Sequence, residues 1–348
     1  MARFNAVKIR NLITNIFIAE GMKQADAEIT ANALIDANLC GRDSHGILRV
    51  LTYVDRIRKG GTNADSEPIL INENQCSAVL DGNDAMGLVA AYKAAELCRR
   101  KALENGMAFV LVRNGGHYGA AGYWAEMIGK DDLFTFNISN TEPLVVPYNG
   151  KQEALGTNPV AIWAPGNKNK ALWYDVATST IAQGKLFDYK FRHKQLERGW
   201  AVDIDGLETT DPETARFLTS FGGHKGYGIA VLIEAMTSCL AGSAIGHNIN
   251  SLALAPDKTN NVSYGFFAMR IDLFLSADDY RNNIDMLIDY LHSIPSVEGK
   301  KVLYPGEIEF SNREFNLQNG IDIPIDLYNS LFELAKQQGI NNVQEYFE

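Results

Sequence analysis

Apolar residues recur every three or four positions at the start of the chain, at Ile9, Leu12, Ile13, Ile16 and Phe17, which predicts an opening helix. A second helical run over Gln24–Leu39 is stopped by Gly41. A third can be capped by Asp43 or Ser44, runs to about Arg58 and is closed by Gly60 and Gly61. From Ser77 the texture changes. Ser77–Asp81, Ala108–Val112, Leu133–Ser139, Val160–Ala164, Trp173–Val176 and Tyr264–Ile271 read as strands, and Leu88–Asn105, Ala121–Gly129, Tyr227–Leu240 and Asp278–Leu291 as helices. Strands alternating with helices predict a layered α/β core. After Pro295 the chain turns and ends in helical segments. The expected organisation is an α/β domain over residues 73–299 and a helical domain over 1–72, joined by 300–348.

Composition narrows the function classes. The 348 residues suffice for about two domains with a large core, and 46% hydrophobic against 21% charged residues is a globular profile. A net charge of −10 argues against a nucleic acid or an anionic membrane as partner, because both need a basic surface. Four scattered cysteines without Cys-x-x-Cys spacing suit a reducing compartment, and the first 21 residues lack the features of a secretory signal, so a cytoplasmic location is expected. The most apolar stretch, Gly228–Gly246, is interrupted by Glu234, Thr237, Ser238 and Ser243, which predicts a buried helix and no membrane span.

Candidate chemistry centres on His117 within Asn114-Gly115-Gly116-His117-Tyr118-Gly119-Ala120-Ala121-Gly122. Glycines around a titratable ring permit close approach to a flat ligand, although a tight turn needs glycine for its dihedrals alone. In Arg42-Asp43-Ser44-His45-Gly46-Ile47-Leu48-Arg49 the spacing of His45 and Arg49 places them on one helix face near its N-terminus, where a substrate carboxylate could be held; a simple cap is the competing reading. Lys225, in Phe221-Gly222-Gly223-His224-Lys225-Gly226-Tyr227-Gly228, stands at a glycine-rich helix start suited to phosphate, or only to packing. Ser139-Asn140-Thr141-Glu142-Pro143, Gly156-Thr157-Asn158-Pro159 and Asp175-Val176-Ala177-Thr178-Ser179 put small polar residues directly after predicted strands, where α/β sheets bind ligands. The Gly-x-Gly-x-x-Gly fingerprint, a Gly-x-Ser-x-Gly elbow and His-Glu-x-x-His are all missing from the sequence, and its six histidines lack metal-ligand spacing, so no metal is expected.

Taken in order, Ser44-His45-Gly46, Gly116-His117-Tyr118-Gly119, Gly156-Thr157-Asn158-Pro159, Asp175-Val176-Ala177-Thr178-Ser179 and Gly223-His224-Lys225-Gly226-Tyr227-Gly228 resemble the malate/L-lactate/sulfolactate dehydrogenase-type oxidoreductases over nearly the whole chain. The resemblance implies a helical domain from both chain ends beside a mixed-sheet α/β cofactor domain unlike the usual Rossmann fold. It also implies a homodimer or dimer of dimers, NAD as cofactor with NADP as the alternative, and a small hydroxy acid as substrate. His117 and His45 would be catalytic, with Ser44, Arg49 and Thr141 at the substrate. Thr141, Asp175, Val176, Ala177, Lys225, Pro305, Gly306 and Glu307 would meet the cofactor. Within the family, Arg56-Ile57-Arg58-Lys59-Gly60-Gly61-Thr62-Asn63 and Trp200-Ala201-Val202-Asp203 are similar to the ureidoglycolate dehydrogenases, which implies oxidation of (S)-ureidoglycolate to oxalurate. Malate, lactate or sulfolactate dehydrogenation and reduction of a keto or imino acid are the alternatives within the family. A catalytically silent NAD-binding protein is the alternative outside it.

Overall fold

The computed structural model describes residues 2–347. The N-terminal segment forms β1 (Ala2–Phe4), α1 (Ala6–Ala19), α2 (Gln24–Leu39) and α3 (Arg49–Lys59). The Asn5 side chain accepts from the N–H groups of Val7 and Lys8 and so starts α1. Ile9, Leu12, Ile13, Ile16 and Phe17 are fully buried on its inner face, each contributing roughly 1.5–3 kcal/mol of transfer free energy.

The central segment runs β2 (Ile69–Glu73), β3 (Ser77–Asp81), α4 (Gly87–Asn105), β4 (Met107–Gly115), α5 (Ala121–Gly129), β5 (Leu133–Ser139), β6 (Val160–Pro165) and β7 (Ala171–Val176). A smaller unit follows, comprising α6 (Gln183–Phe191) and the two-residue strands β8 (Ala201–Val202), β9 (Glu208–Thr209) and β10 (Phe217–Leu218), which pair in the order β10-β8-β9. Helix α7 (His224–Glu234) continues into a π-helical turn at Ala235–Cys239. The chain ends with β11 (Val262–Arg270), α8 (Ala277–Ser293), α9 (Glu307–Asn319), β12 (Ile321–Ile323) and α10 (Ile325–Gln337). Among the described residues no helix is long and apolar enough to cross a membrane.

Seven strands form one mixed sheet in the order β2-β3-β4-β11-β5-β6-β7. Only β3 and β4 are parallel, in register Leu80↔Val112, with α4 as the crossover between them; β11 enters antiparallel between β4 and β5. Side chains alternate across the sheet. Val110 joins the large core beneath α4 and α5, whereas its neighbour Phe109 packs in the small cluster holding Ile233 of α7. The sheet is therefore covered on both faces. The chain ends meet: β1 pairs antiparallel with β12, Arg3 opposite Asp322, and α9 packs on α2. The large core draws on residues of both end segments as well as the sheet.

Candidate active site

His117 follows β4, in the turn before α5. The surrounding glycines serve the protein's own packing. A Cβ on Gly115 would come within 2.7 Å of the Tyr264 ring, and Gly119 takes φ +79°. The imidazole is held from α3: the Tyr53 hydroxyl lies 2.7 Å from His117 Nδ1, while the Gly119 N–H is at 3.4 Å. Tyr53 is only 2% exposed, and burial raises its phenol above the usual range.

His45 reaches the same place from a different local structure than the sequence suggests. Asp43–His45 is a single 3-10 turn, and α3 begins only at Arg49. Asn38 Oδ1 accepts the Ile47 N–H at 2.7 Å, and a Cβ on Gly46 would strike that same Asn38 amide. The backbone is thereby held away from helical geometry at Gly46. His45 and Arg49 consequently do not share a helix face; the arginine instead folds back so that its Nε donates to the Ser44 carbonyl at 2.7 Å. Along α3 the spacing of Arg49, Tyr53 and Arg56 does form a common face.

The two imidazoles stack at 5.5 Å between centroids with 25° between planes. Ser44 Oγ lies 2.9 Å from His45 Nδ1, so both histidines use Nδ1 internally, and neither Nε2 has a partner among the described residues. Burial first, and the nearby Arg49 second, make both rings hard to protonate. His45 is lowered to about 4, with Arg42 adding to the effect, and His117 falls well below its ordinary value, with His45 and Arg56 adding theirs.

The three arginines acting on these rings are differently committed. Arg56, 2% exposed, donates to the carbonyls of Leu252, Ala255, Gly61 and Lys258. Arg42 lies 3.0 Å from Asp175 and 3.5 Å from Glu309, with its guanidinium over the Trp173 ring. Arg49 has a single hydrogen bond among the described residues, from Nε, and no carboxylate partner there. Its two Nη groups are available to an anion.

The other expected site residues lie on neighbouring strand and loop ends. Thr141 follows β5; its Oγ1 accepts from the Thr157 N–H at 3.0 Å, and its own N–H donates to Asn158 Oδ1 at 3.1 Å. Glu142 connects this loop to the histidine pair: it accepts from Ser251 Oγ and the Leu252 N–H, and Arg56 of α3 holds the Leu252 carbonyl. Asp175 spends one carboxylate oxygen on Arg42 and on the Gly122 N–H at 2.8 Å, tying the end of β7 to both histidine segments. Val176 and Ala177 line an open cavity with Tyr174, Thr180 and Phe221. Lys225 is exposed in the first turn of α7, whose N-terminus has no side-chain cap. Pro305 accepts the Trp173 N–H at 2.9 Å, placing its turn against β7, whereas the Glu307 carboxylate is turned to His292 and the Tyr304 N–H. Tyr53 and Arg42 were missed from the sequence. Tyr53 stands four residues after Arg49, a helical spacing that would have revealed it.

Fold and site together define a class: an α/β protein of non-Rossmann topology whose centre stacks two imidazoles beside an arginine that has no carboxylate partner among the described residues. The chain belongs to the malate/L-lactate dehydrogenase family, whose pattern it matches over residues 4–332, and this is a family of hydroxy-acid dehydrogenases. It is similar to L-sulfolactate dehydrogenase of Methanocaldococcus jannaschii, 36% identical over 97% of this chain and 98% of that one. The solved sulfolactate dehydrogenase structure from that organism superposes with a TM-score of 0.94, at 35% identity, over 100% of both chains. Malate dehydrogenase of Pyrococcus horikoshii is 31% identical over 97% of this chain and 95% of its own length. Ureidoglycolate dehydrogenase (NAD(+)) of Escherichia coli is 32% identical over 94% of each chain. Relatives named for three different substrates thus show similar identity, and overall likeness does not select among them.

Proposed function

We propose that the protein oxidises a 2-hydroxy acid bearing a single carboxylate, with NAD as hydride acceptor and (S)-ureidoglycolate as the first candidate substrate. The observation that carries this reading is Arg49, the one arginine of the three around the histidine pair whose guanidinium has neither a carboxylate partner nor a set of backbone carbonyls among the described residues. One guanidinium fork suits one carboxylate. The second anionic group of malate or sulfolactate would find Arg42 and Arg56 already engaged, whereas a neutral ureido group needs only polar partners.

In this reading Arg49 and Ser44 hold the carboxylate and set the adjacent carbinol against His117. His117 Nε2 takes the hydroxyl proton, and a ring already neutral well below pH 7 is ready to accept it. For Nε2 to accept, Nδ1 carries the ring proton and donates it in a hydrogen bond to the Tyr53 hydroxyl, which holds the ring in that tautomer and orientation. His45, stacked on His117, contacts the substrate oxygens through its own Nε2. NAD, when bound, accepts the hydride leaving the same carbon. The residues fit such a dinucleotide: the uncapped α7 N-terminus with Lys225 suits its phosphates, and the cavity beside Val176 and Ala177 suits a planar ring. Asp175 and Thr141 have committed side chains and serve through the backbone they hold. Pro305, Gly306 and Glu307 back β7 from behind.

We further propose a second copy of this chain as partner. Ile229, Leu232, Met236 and Leu240 leave an apolar stripe exposed along α7 and its π turn, 36–63% accessible, which an isologous contact would cover. Light scattering on the purified protein checks this, and a monomer at micromolar concentration overturns it.

Comparing NAD and NADP reduction with (S)-ureidoglycolate, L-lactate, L-malate and sulfolactate tests the activity. The expected order puts the mono-carboxylates ahead in kcat/KM, and H117A lowers kcat by ~100-fold or more with NADH affinity nearly intact. Faster turnover of malate or sulfolactate refutes the single-carboxylate reading. NADH binding without turnover of any of the four identifies a silent binder.

A further inference from the structure

Of the polar residues that interrupt the apolar α7 segment, Thr237 bonds back to the Ile233 carbonyl of its own helix, and the other three reach a loop or strand end of the site. Glu234 is 5% exposed, faces no basic side chain among the described residues, and is bound by two amides: Asn140 Nδ2 donates to its Oε2 at 2.9 Å and Asn158 Nδ2 to its Oε1 at 3.1 Å. Ser238, in the π turn, accepts from Asn140 at 2.7 Å, and Ser243 accepts the N–H of Asn114, three residues before His117. Both asparagines are wholly buried. Their carbonyl oxygens are spent on backbone, Asn158 Oδ1 on the Thr141 N–H and Asn140 Oδ1 on the Ser263 N–H. The Thr157 carbonyl, next in sequence to Asn158, accepts both the N–H and the hydroxyl of Thr178. One carboxylate therefore joins the loop after β5, the loop before β6 and the residues after β7, from the helix whose first turn holds Lys225. π turns recur at functional sites because they re-aim side chains that a regular helix would misplace.

We infer that Glu234 is a positioning residue of the cofactor site, fixing the amide orientations of Asn140 and Asn158 so that the loops at Thr141 and at Asp175–Ala177 are held together before ligand arrives. The role rests on the reading of those loops as cofactor-binding. A buried carboxylate is costly unless hydrogen-bonded, and it is the acceptor that two facing NH₂ groups require. E234Q keeps the shape and places one donor against another. The conflict resolves only if an asparagine turns over, which removes the acceptor from either the Thr141 or the Ser263 N–H. Adding N158D to E234Q supplies acceptors to both the introduced amide and the Thr141 N–H, at the cost of the 3.2 Å bond from Asn158 to the Ala230 carbonyl, which then faces a carboxylate oxygen.

NADH titration followed by protein fluorescence, amide hydrogen exchange and steady-state kinetics test this together. E234Q is expected to weaken NADH binding about tenfold or more, raise KM for NAD more than it lowers kcat, and speed exchange at the Thr141 amide in the folded protein. E234Q/N158D is expected to return affinity to within about threefold of wild type, a rescue that general destabilisation would not give. Folded E234Q with affinity within about twofold of wild type, or no recovery in the double variant, overturns the role of Glu234 alone. Wild-type protein that binds neither NADH nor NADPH overturns the cofactor reading beneath it.

Discussion

Replacing Tyr53 by Phe isolates one bond at the centre of the site. The hydroxyl sits 2.7 Å from His117 Nδ1, and without it Nδ1–H has no acceptor among the described residues, since the Gly119 N–H at 3.4 Å is itself a donor. Phe preserves the packing, since the Tyr53 and His117 rings meet at 6.0 Å between centroids through carbon atoms the substitution leaves in place. Leaving a buried donor short of its partner costs about 1–3 kcal/mol, and if the whole loss falls on the reacting orientation of His117 it amounts to roughly 5- to 150-fold in rate. On the proposed reading the loss belongs in kcat, because the substitution leaves the carboxylate-binding Arg49 and Ser44 in place. Steady-state NADH formation with the best hydroxy acid of the panel, beside thermal melts of both proteins, reads the effect. A kcat within about twofold of wild type would falsify the positioning argument. So would a loss confined to KM.

Two further outcomes follow from the charges around the rings. His45 and His117 have folded pKa values lowered from the ordinary 6.5, so the unfolded chain takes up protons that the native site refuses. Their contribution to stability is complete above about pH 6.5 and is lost as pH falls through that value toward 4; denaturant midpoints measured from pH 7.5 to 4.5 should decline, less steeply in H45N. A flat profile, or a rise toward acid, is incompatible with rings held neutral by burial. R42M leaves Asp175 buried without its cation, a change of about 3–5 kcal/mol, whereas R42M/D175N removes both charges and should regain part of that loss in urea unfolding. Equal destabilisation in the two variants would show that Arg42 acts through its stacking on Trp173.

Where periodicity was long and ended by glycine, sequence and structure agree: α2 and α5 have the expected ends, as does β5. The expected start of α3 was wrong because Asp43 and Ser44 carry good capping chemistry, while the decisive interaction is a tertiary one, the Asn38 side chain taking the Ile47 N–H. The strands β8, β9 and β10 have two residues each, too few for an alternation to register. The histidine pair was legible as two separate candidates, but their meeting depends on α3 lying across the β4–α5 turn, which no local pattern encodes. Glu234 was legible only as a polar interruption. Its purpose required the positions of Asn140 and Asn158, each more than seventy residues earlier in the chain.

On the proposed reading, the arginine that holds the substrate carboxylate would also act on the chemistry through the two imidazoles. In the free protein burial, and after it the charge of Arg49, disfavour a proton on either ring, which keeps His117 unprotonated. A carboxylate seated on the free Nη groups would offset that charge at close range and lift the basicity of His117 toward the range where proton transfer from an alcohol is efficient. Basicity would then rise only when a substrate with the required anion is present, and a neutral alcohol of similar shape would meet a ring too weak to deprotonate it. Under this coupling the acid limb of kcat lies at higher pH than that of kcat/KM, because the first reports the occupied site and the second the free one.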